Sequence, residues 1–233
     1  MPEKFANKDP VRVGTQSQEV MGLLIGDITS GRLSQGSRIS EPELSRKYGV
    51  GRGPLREALL KLEAAGLVVR APHVGARVVT LSQNELSEIF AVREALEGMA
   101  ARLAAIHMSD QQLLDLEFLL ETHASHINEH SGQSYIDQEG DLDFHYRVIH
   151  GSCNQRLIRS LCDELYHLIQ MYRKTSGRPA RPEEALTEHQ MIFRALKDRD
   201  GELAEMLMRR HIVRARKEIE QFIDSNHQHE RMK

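Results

Sequence analysis

The sequence predicts a mainly α protein in two parts. The first is a winged helix-turn-helix of three helices and a β-hairpin, and the second is an all-α antiparallel bundle of six to seven helices. Three observations predict this fold class. Apolar residues recur at helical spacing along most of the chain, and a pair of β-branched strand-like runs occurs once, just before residue 80. The charge is also divided, with 12 Lys and Arg against 8 Asp and Glu in residues 1–80 and 19 against 26 in the rest.

Composition limits the class of protein. The 233 residues are 40% hydrophobic and 28% charged, which is typical of a globular chain and too apolar for disorder. No apolar run approaches the ~18 residues that span a membrane. The polar N-terminus lacks the apolar segment of a signal peptide. Two cysteines, Cys153 and Cys162, do not form a disulfide framework. We expect a cytoplasmic protein with reduced thiols and no membrane partner.

Three helices are predicted before residue 66. Residues 16–30 show amphipathic spacing. Ser40-Glu41-Pro42-Glu43 has the pattern of a capping box and predicts a short helix over 41–48. A glycine-containing break then leads to a third helix from about residue 53 to residue 65. Two short helices joined by such a turn make a helix-turn-helix.

A hairpin is predicted directly after these helices. The stretch LVVRAPHVGARVV has two β-branched runs around a Pro- and Gly-containing loop. A hairpin in this position is a wing, whose tip, with His73 and Gly75, can reach a minor groove or phosphates. The domain boundary is predicted at Thr80-Leu81, which gives domains 1–80 and 81–233.

Arg52 and Arg56 lie at the start of the third helix, away from its apolar stripe. Arginines in this position can enter a major groove and bind guanine or phosphate. The alternative is that they are ordinary surface arginines and that the hairpin only closes a small core. The combination of three helices, a wing and a basic N-terminal part favours DNA binding.

The segment LSRKYGVGRGPLREALLKLEAAGLVVRAPHVGARVV, residues 44–79, closely resembles the winged-helix signature of the GntR family of bacterial transcription regulators. The resemblance implies that Arg46, Arg52 and Arg56 contact DNA and that the wing glycine Gly75 approaches its backbone. Gly51 and Gly53 stand where the family usually has Ser or Thr. The bare amides at this helix start, including that of Gly53, can still bind phosphate.

The remaining residues are predicted to be helical throughout. Ser82 with Glu85, and Ser109 with Gln112, have the pattern of helix N-termini. Helical spacing returns in four later segments, residues 135–150, 155–174, 183–198 and 201–224.

Four residues in this part are candidate metal ligands. Asp141 and His145 share a helix face because they are four residues apart. His189 and His211 lie beside apolar stripes of two other helices. One carboxylate and three imidazoles inside a bundle suit a divalent transition metal. Taken singly, each residue also fits an ordinary core or surface position, and Asp141 with His145 also fits a surface ion pair.

A rival cluster is formed by His123, His126 and His130, which lie nearly on one face of a predicted helix. They can bind a metal or can simply favour the negative end of the helix dipole. A second resemblance decides between the two sets. Residues 82–225 resemble the FCD domain of the FadR subgroup, with D-x-x-F-H at residues 141–145. It implies that Asp141, His145, His189 and His211 bind zinc, nickel or manganese.

The resemblance also implies a sensory function. Arg93 matches a position that often faces the effector cavity, and a guanidinium there can bind a small carboxylate. The alternative is an i, i+4 pair with Glu97 on a solvated face. We expect a homodimeric repressor that binds a palindromic operator and is not an enzyme. The other hypotheses are a regulator whose signal is the metal itself and a metal-dependent hydrolase, for which Glu97 or Asp143 would be the general base.

Overall fold

The protein, described from a computed structural model, divides into two compact units, Met1–Thr80 and Leu81–Lys233. The structure describes residues 15–71, 75–130, 140–175 and 182–231. The predicted fold class is confirmed, because a helix-turn-helix with a small hairpin precedes a unit whose described elements are all helical.

The N-terminal unit contains three helices followed by a two-stranded antiparallel sheet. Its elements are α1 (Gln16–Thr29), α2 (Glu41–Tyr48), α3 (Arg52–Ala64), β1 (Val68–Ala71) and β2 (Gly75–Val78). Helix α2 ends at Gly49, whose φ of 65° is left-handed and therefore suits glycine. This turn carries the chain into α3 and completes the helix-turn-helix.

The core of this unit lies where α1 packs on α3. Apolar residues spaced three or four apart on both helices are fully buried, as the helical pattern predicted: Val20, Leu24, Ile28, Leu55, Leu59 and Leu62. The hairpin pairs Val68 with Val78 and closes the core, since both are 1% exposed.

The predicted capping box at Ser40 is wrong. The Ser40 side chain makes no capping hydrogen bond, although its backbone (φ −97°, ψ 101°) nearly equals that of Asn154 (φ −95°, ψ 100°), whose side chain caps a later helix. The residue types in the pattern do not by themselves fix the side-chain rotamer that a cap requires. The neighbouring Glu41 accepts a hydrogen bond from Nε of Arg56 at 2.8 Å and links α2 to α3.

A buried carboxylate joins α1 to α2. Asp27 accepts hydrogen bonds from Nε of Arg32 at 2.6 Å, Nζ of Lys47 at 2.5 Å and the Tyr48 hydroxyl at 2.5 Å. Burial favours the neutral carboxyl, but these donors lower the pKa of Asp27 to about 2. Burial and the Asp27 charge raise the pKa of Tyr48. The network holds the two helices together through charge-assisted bonds.

The C-terminal unit is built of helices. They are α4 (Gln83–His107), α5 (Asp110–His130), α6 (Gly140–Gly151), α7 (Gln155–Ile158), a π-helical segment (Arg159–Leu165), α8 (Tyr166–Thr175), α9 (Pro182–Lys197) and α10 (Gly201–Arg231). The predicted N-terminal signals are confirmed at Ser82, which forms a capping box with Glu85, and at Ser109, which exchanges hydrogen bonds with Gln112.

Two details differ from the predicted helices. The helix predicted over residues 155–174 is interrupted by the π-helical segment. The sequence does not indicate this interruption, because a wider turn leaves the apolar pattern almost unchanged. The last helix runs to Arg231, beyond the predicted end at residue 224. Its final turns are polar, so the apolar pattern stops before the helix does.

Helix α4 packs along α10, and α9 and α6 lie against them around a common core. Gly98 on α4 makes the close approach possible, since a Cβ there would lie 2.6 Å from Cγ of Arg209 on α10. None of the helices in the described part of the chain is both long and apolar enough to cross a lipid bilayer.

Candidate metal centre

Three buried histidines from three helices meet in the core of the C-terminal unit. His145 on α6, His189 on α9 and His211 on α10 are 0%, 0% and 6% exposed. Nε2 of His211 lies 3.1 Å from Nε2 of His145 and 3.4 Å from Nε2 of His189. One nitrogen of each ring lies within 4.8 Å of the other two. The three side chains can therefore serve as ligands of one ion.

Each histidine reaches this point because it belongs to a buried helix face. Phe144 and Val148 flank His145, and Ile192 follows His189 by three residues; all three apolar side chains are fully buried. The Phe144 ring also stacks on the His189 ring, with centroids 4.0 Å apart and planes at 16°. Apolar packing thus orients the rings and keeps water away from them.

Two carboxylates hold the opposite side of two of the rings. Nδ1 of His145 lies 2.5 Å from Oε2 of Glu97, and Nδ1 of His211 lies 2.6 Å from Oε2 of Glu188. Since an ionised carboxylate only accepts hydrogen bonds, each Nδ1 carries the proton that it donates. In the neutral ring, Nε2 then has a lone pair directed at the other histidines.

The spacing of the nitrogens fits a cation. A single proton can form a hydrogen bond between only one pair of ring nitrogens, whereas a cation at the centre can bind a nitrogen of all three rings. A metal bound to nitrogen at about 2.1 Å holds neighbouring ligands about 3.0 Å apart in an octahedron and about 3.4 Å apart in a tetrahedron. The observed separations of 3.1 Å and 3.4 Å fall in this range. The donor set and its spacing are therefore suitable for a transition metal.

The Glu97 carboxylate is shared between His145 and an arginine. Its Oε1 accepts a hydrogen bond from Nε of Arg93 at 2.5 Å, and both partners are at most 1% exposed. Burial favours the neutral carboxyl, but Arg93 and His145 lower the pKa of Glu97 to about 2. The guanidinium also lies 5.0 Å from the Phe90 ring centre. The pair considered in the sequence analysis thus forms inside the unit and not on a solvated face.

The other sequence candidates lie as follows. Asp141 is in the first turn of α6, and its side chain is outside the described residues. Asp143 is exposed on the same helix. In the rival cluster His123 is buried and His126 half-buried, and the side chain of His130 is outside the described residues. Within the described ranges, the three-histidine group on α6, α9 and α10 is the set with convergent ligand atoms.

The candidate DNA-binding residues that the structure describes are exposed on the N-terminal unit. Arg46 lies on α2, and Arg52 and Gly53 lie in the first turn of α3. Arg56 is 61% exposed and carries the ion pair with Glu41. Gly75 begins β2 with a φ of 86°, a left-handed conformation that a side chain would strain. His73 lies outside the described residues.

Glu188 is a functional candidate that sequence patterns did not predict. It precedes His189 directly, yet its carboxylate bonds to His211 on the next helix. Glu97 was considered only as a partner of Arg93 or as a general base. No spacing rule along a chain links either glutamate to its histidine, so only the adjacent E-H pair at 188–189 offered a signal.

Comparison with known proteins identifies the family. Residues 16–78 match the model of bacterial regulatory proteins of the gntR family, and residues 88–214 match the FCD domain. The chain belongs to the GntR family. The regulator carries the FCD domain expected of the FadR subgroup, so both resemblances are confirmed.

Relatives of the regulator cover most of its length. The transcriptional repressor GlaR of Escherichia coli is 30% identical over 199 residues, which are 82% of this chain and 89% of GlaR. The transcriptional repressor RspR of the same species is 28% identical, with 90% and 91% covered. The gluconate operon transcriptional repressor of Bacillus licheniformis is 28% identical, with 87% and 82% covered.

A solved structure supports the fold. E. coli McbR/YncC superimposes with a TM-score of 0.75 at 24% identity, covering 90% of this chain and 99% of that one.

The relatives are transcriptional regulators and not enzymes, as expected for this regulator, so the hydrolase hypothesis has no support among them.

Proposed function

We propose that this GntR regulator is a homodimeric repressor of a palindromic operator, and that its FCD domain holds a divalent transition metal beside which a small carboxylate metabolite binds to change operator affinity. The single observation that carries the proposal is the convergence of three buried imidazole nitrogens. The proposed metal ligands are Asp141, His145, His189 and His211. The proposed DNA contacts are Arg46, Arg52, Gly53, Arg56, His73 and Gly75.

The chemistry of the ligands favours zinc. Three imidazoles and one carboxylate are borderline ligands that suit Zn²⁺, while Ni²⁺ and Mn²⁺ also accept this set with additional open positions. An ion of this kind, when bound, supplies a Lewis-acidic position that a carboxylate oxygen can occupy.

Charge balance favours an anionic effector. Arg93 compensates Glu97, and the partly exposed Arg214 pairs with Glu188, so these four groups contribute no net charge. A divalent ion with neutral histidines and the Asp141 carboxylate would leave one positive charge in a buried site. Buried charge is unfavourable unless it is paired, so a small carboxylate is preferred to a neutral molecule.

Arg93 is the proposed second contact of the effector. Its Nε is used by Glu97, which holds the guanidinium in a fixed orientation beside the Phe90 and Tyr166 rings. A planar guanidinium fixed along one edge presents its other donors in one direction, which favours recognition of a carboxylate.

A surface on the FCD domain supports dimerisation. Helix α4 exposes Val92, Met99 and Ile106 at 46%, 40% and 61%, in one row with a spacing of seven residues. Arg102 and Glu205 lie beside this row and provide both signs of charge. A mixed-charge rim around an apolar row suits a two-fold contact with a second copy. A dimer of this kind would act on the bacterial chromosome in the cytoplasm.

The effector proposal is tested by thermal unfolding of Zn²⁺-loaded and chelator-stripped protein with citrate, succinate or lactate. At a hundredfold excess over Kd, a bound acid stabilises by about 2.7 kcal/mol, which raises Tm by about 5 °C or more. We expect this shift in the loaded protein only. Equal shifts in both forms, or none in either, would contradict the proposal. If operator affinity changes with the Zn²⁺ concentration when no acid is present, the metal itself would be favoured as the signal.

Operator binding is tested with duplexes selected from a randomised library. We expect two chains per palindrome and an affinity that falls steeply with salt, because phosphate contacts release counterions. Arg52→Ala is expected to lose about 1–3 kcal/mol and to relax one position of the site. Lys61→Ala, an equal loss of charge at the other end of α3 where Lys61 pairs with Glu57, is the control. Absence of any sequence preference across the salt series would reject the proposal.

A further inference from the structure

Two histidines of the metal centre are held by carboxylates from other helices. Glu97 on α4 lies against Nδ1 of His145 on α6, and Glu188 on α9 lies against Nδ1 of His211 on α10. The two contacts have the same pattern, since each involves the ring nitrogen that does not face the other histidines. Glu97 is fully buried at 0% exposure, and Glu188 is half-buried at 15%.

The pattern has a defined consequence for each ring. The carboxylate accepts the hydrogen bond from Nδ1–H, so the contact stabilises the tautomer in which Nε2 is unprotonated. The second anchor also fixes the torsion of the ring about its Cβ–Cγ bond, so that Nε2 is directed at the common point. In metal sites, a carboxylate behind an imidazole orients it and makes it a better electron donor.

We propose that Glu97 and Glu188 are positioning residues of the metal centre, which hold His145 and His211 in the tautomer and orientation that bind the ion. This inference rests on the proposed function, because it requires that a metal binds. It also gives α4 a role at the site, because Glu97 on this helix contacts the His145 ring and is not itself a metal ligand.

The two glutamates differ in what else depends on them. Glu97 also pairs with the fully buried Arg93, so its replacement leaves a charge in the core without its carboxylate. The other partner of Glu188 is Arg214, which is 56% exposed and remains hydrated when the carboxylate is removed. Glu188→Gln is therefore the variant that tests positioning without threatening the fold.

The test measures Zn²⁺ affinity by competition with a chelator of known affinity, in full-length protein. We expect Glu188→Gln and Glu97→Gln each to weaken Zn²⁺ binding about 10–100-fold. The matched controls are Glu183→Gln and Glu88→Gln, which remove the same charge from exposed positions of α9 and α4 and should change affinity less than about twofold. Glu188→Asp, which keeps the carboxylate, should recover part of the loss.

Two further readouts separate positioning from a structural role. The Tm of metal-free Glu188→Gln should remain close to that of the wild type. Nitrogen NMR of metal-free wild type should show the His211 ring protonated at Nδ1, and this population should fall in the variant. Unchanged Zn²⁺ affinity in Glu188→Gln overturns the inference and leaves the metal proposal intact. Weaker Zn²⁺ binding that is matched by an equal loss of stability in the metal-free protein has the same consequence. A wild type that binds no Zn²⁺ overturns both.

Discussion

Replacement of His145 by alanine is expected to remove the metal from the protein. The wild type should retain about one ion per chain after purification without chelators, and His145→Ala should retain almost none. His145 is the ring that lies between Glu97 and Nε2 of His211, so its removal takes away one ligand and opens a cavity beside another. Loss of a direct ligand should cost more than the roughly 10–100-fold that follows the loss of a supporting residue.

Elemental analysis measures this effect, and His150→Ala is the matched control. His150 lies on the same helix but belongs to a different contact, with its ring 4.1 Å from that of Tyr146. The metal content of His150→Ala should equal that of the wild type. Equal metal content in His145→Ala and the wild type would contradict the proposed metal site.

Metal loss should also appear in the stability of the FCD domain. A ligand that binds only the folded state stabilises it by about 4 kcal/mol at a thousandfold excess over Kd. Chelation should therefore lower the Tm of the wild type and leave that of His145→Ala unchanged. A chelator effect of the same size in both would mean that it acts elsewhere in the chain.

Replacement of Arg93 by methionine is expected to destabilise the metal-free FCD domain by about 3–5 kcal/mol. The change keeps an unbranched side chain between the aromatic rings but leaves the fully buried Glu97 carboxylate without its guanidinium. Removing one member of a buried pair costs this much because the remaining charge is not compensated. The double variant Arg93→Met/Glu97→Gln should be more stable than the single variant, since neither formal charge then remains.

Urea unfolding of chelator-treated protein, followed by far-ultraviolet circular dichroism, measures the effect. Lys197→Met is the control in the same unit, because Lys197 is 56% exposed and its pair with Glu117 is solvated. It should cost less than about 1 kcal/mol. A loss for Arg93→Met as small as that of the control would show that the buried pair contributes little to stability.

Local signals were sufficient for most of the helices. The starts of α4 and α5 follow from Ser82 and Ser109, whose caps depend on residues three positions away. The same kind of pattern failed at Ser40, because a cap also requires a side-chain rotamer that the four residues alone do not impose. The π-helical segment after α7 likewise has no local signature, since a single wider turn hardly changes the spacing of the apolar residues.

The sequence by itself determined the fold class, the winged helix-turn-helix, and the three histidines that now lie within one small volume. Each of these follows from residues a few positions apart or from a motif. Only the tertiary structure decided that the Nε2 atoms face one another, that Glu97 and Glu188 hold the rings from behind, and that Arg93 is inside the unit. These contacts join helices from distant parts of the chain, so side-chain packing sets them, and sequence spacing does not.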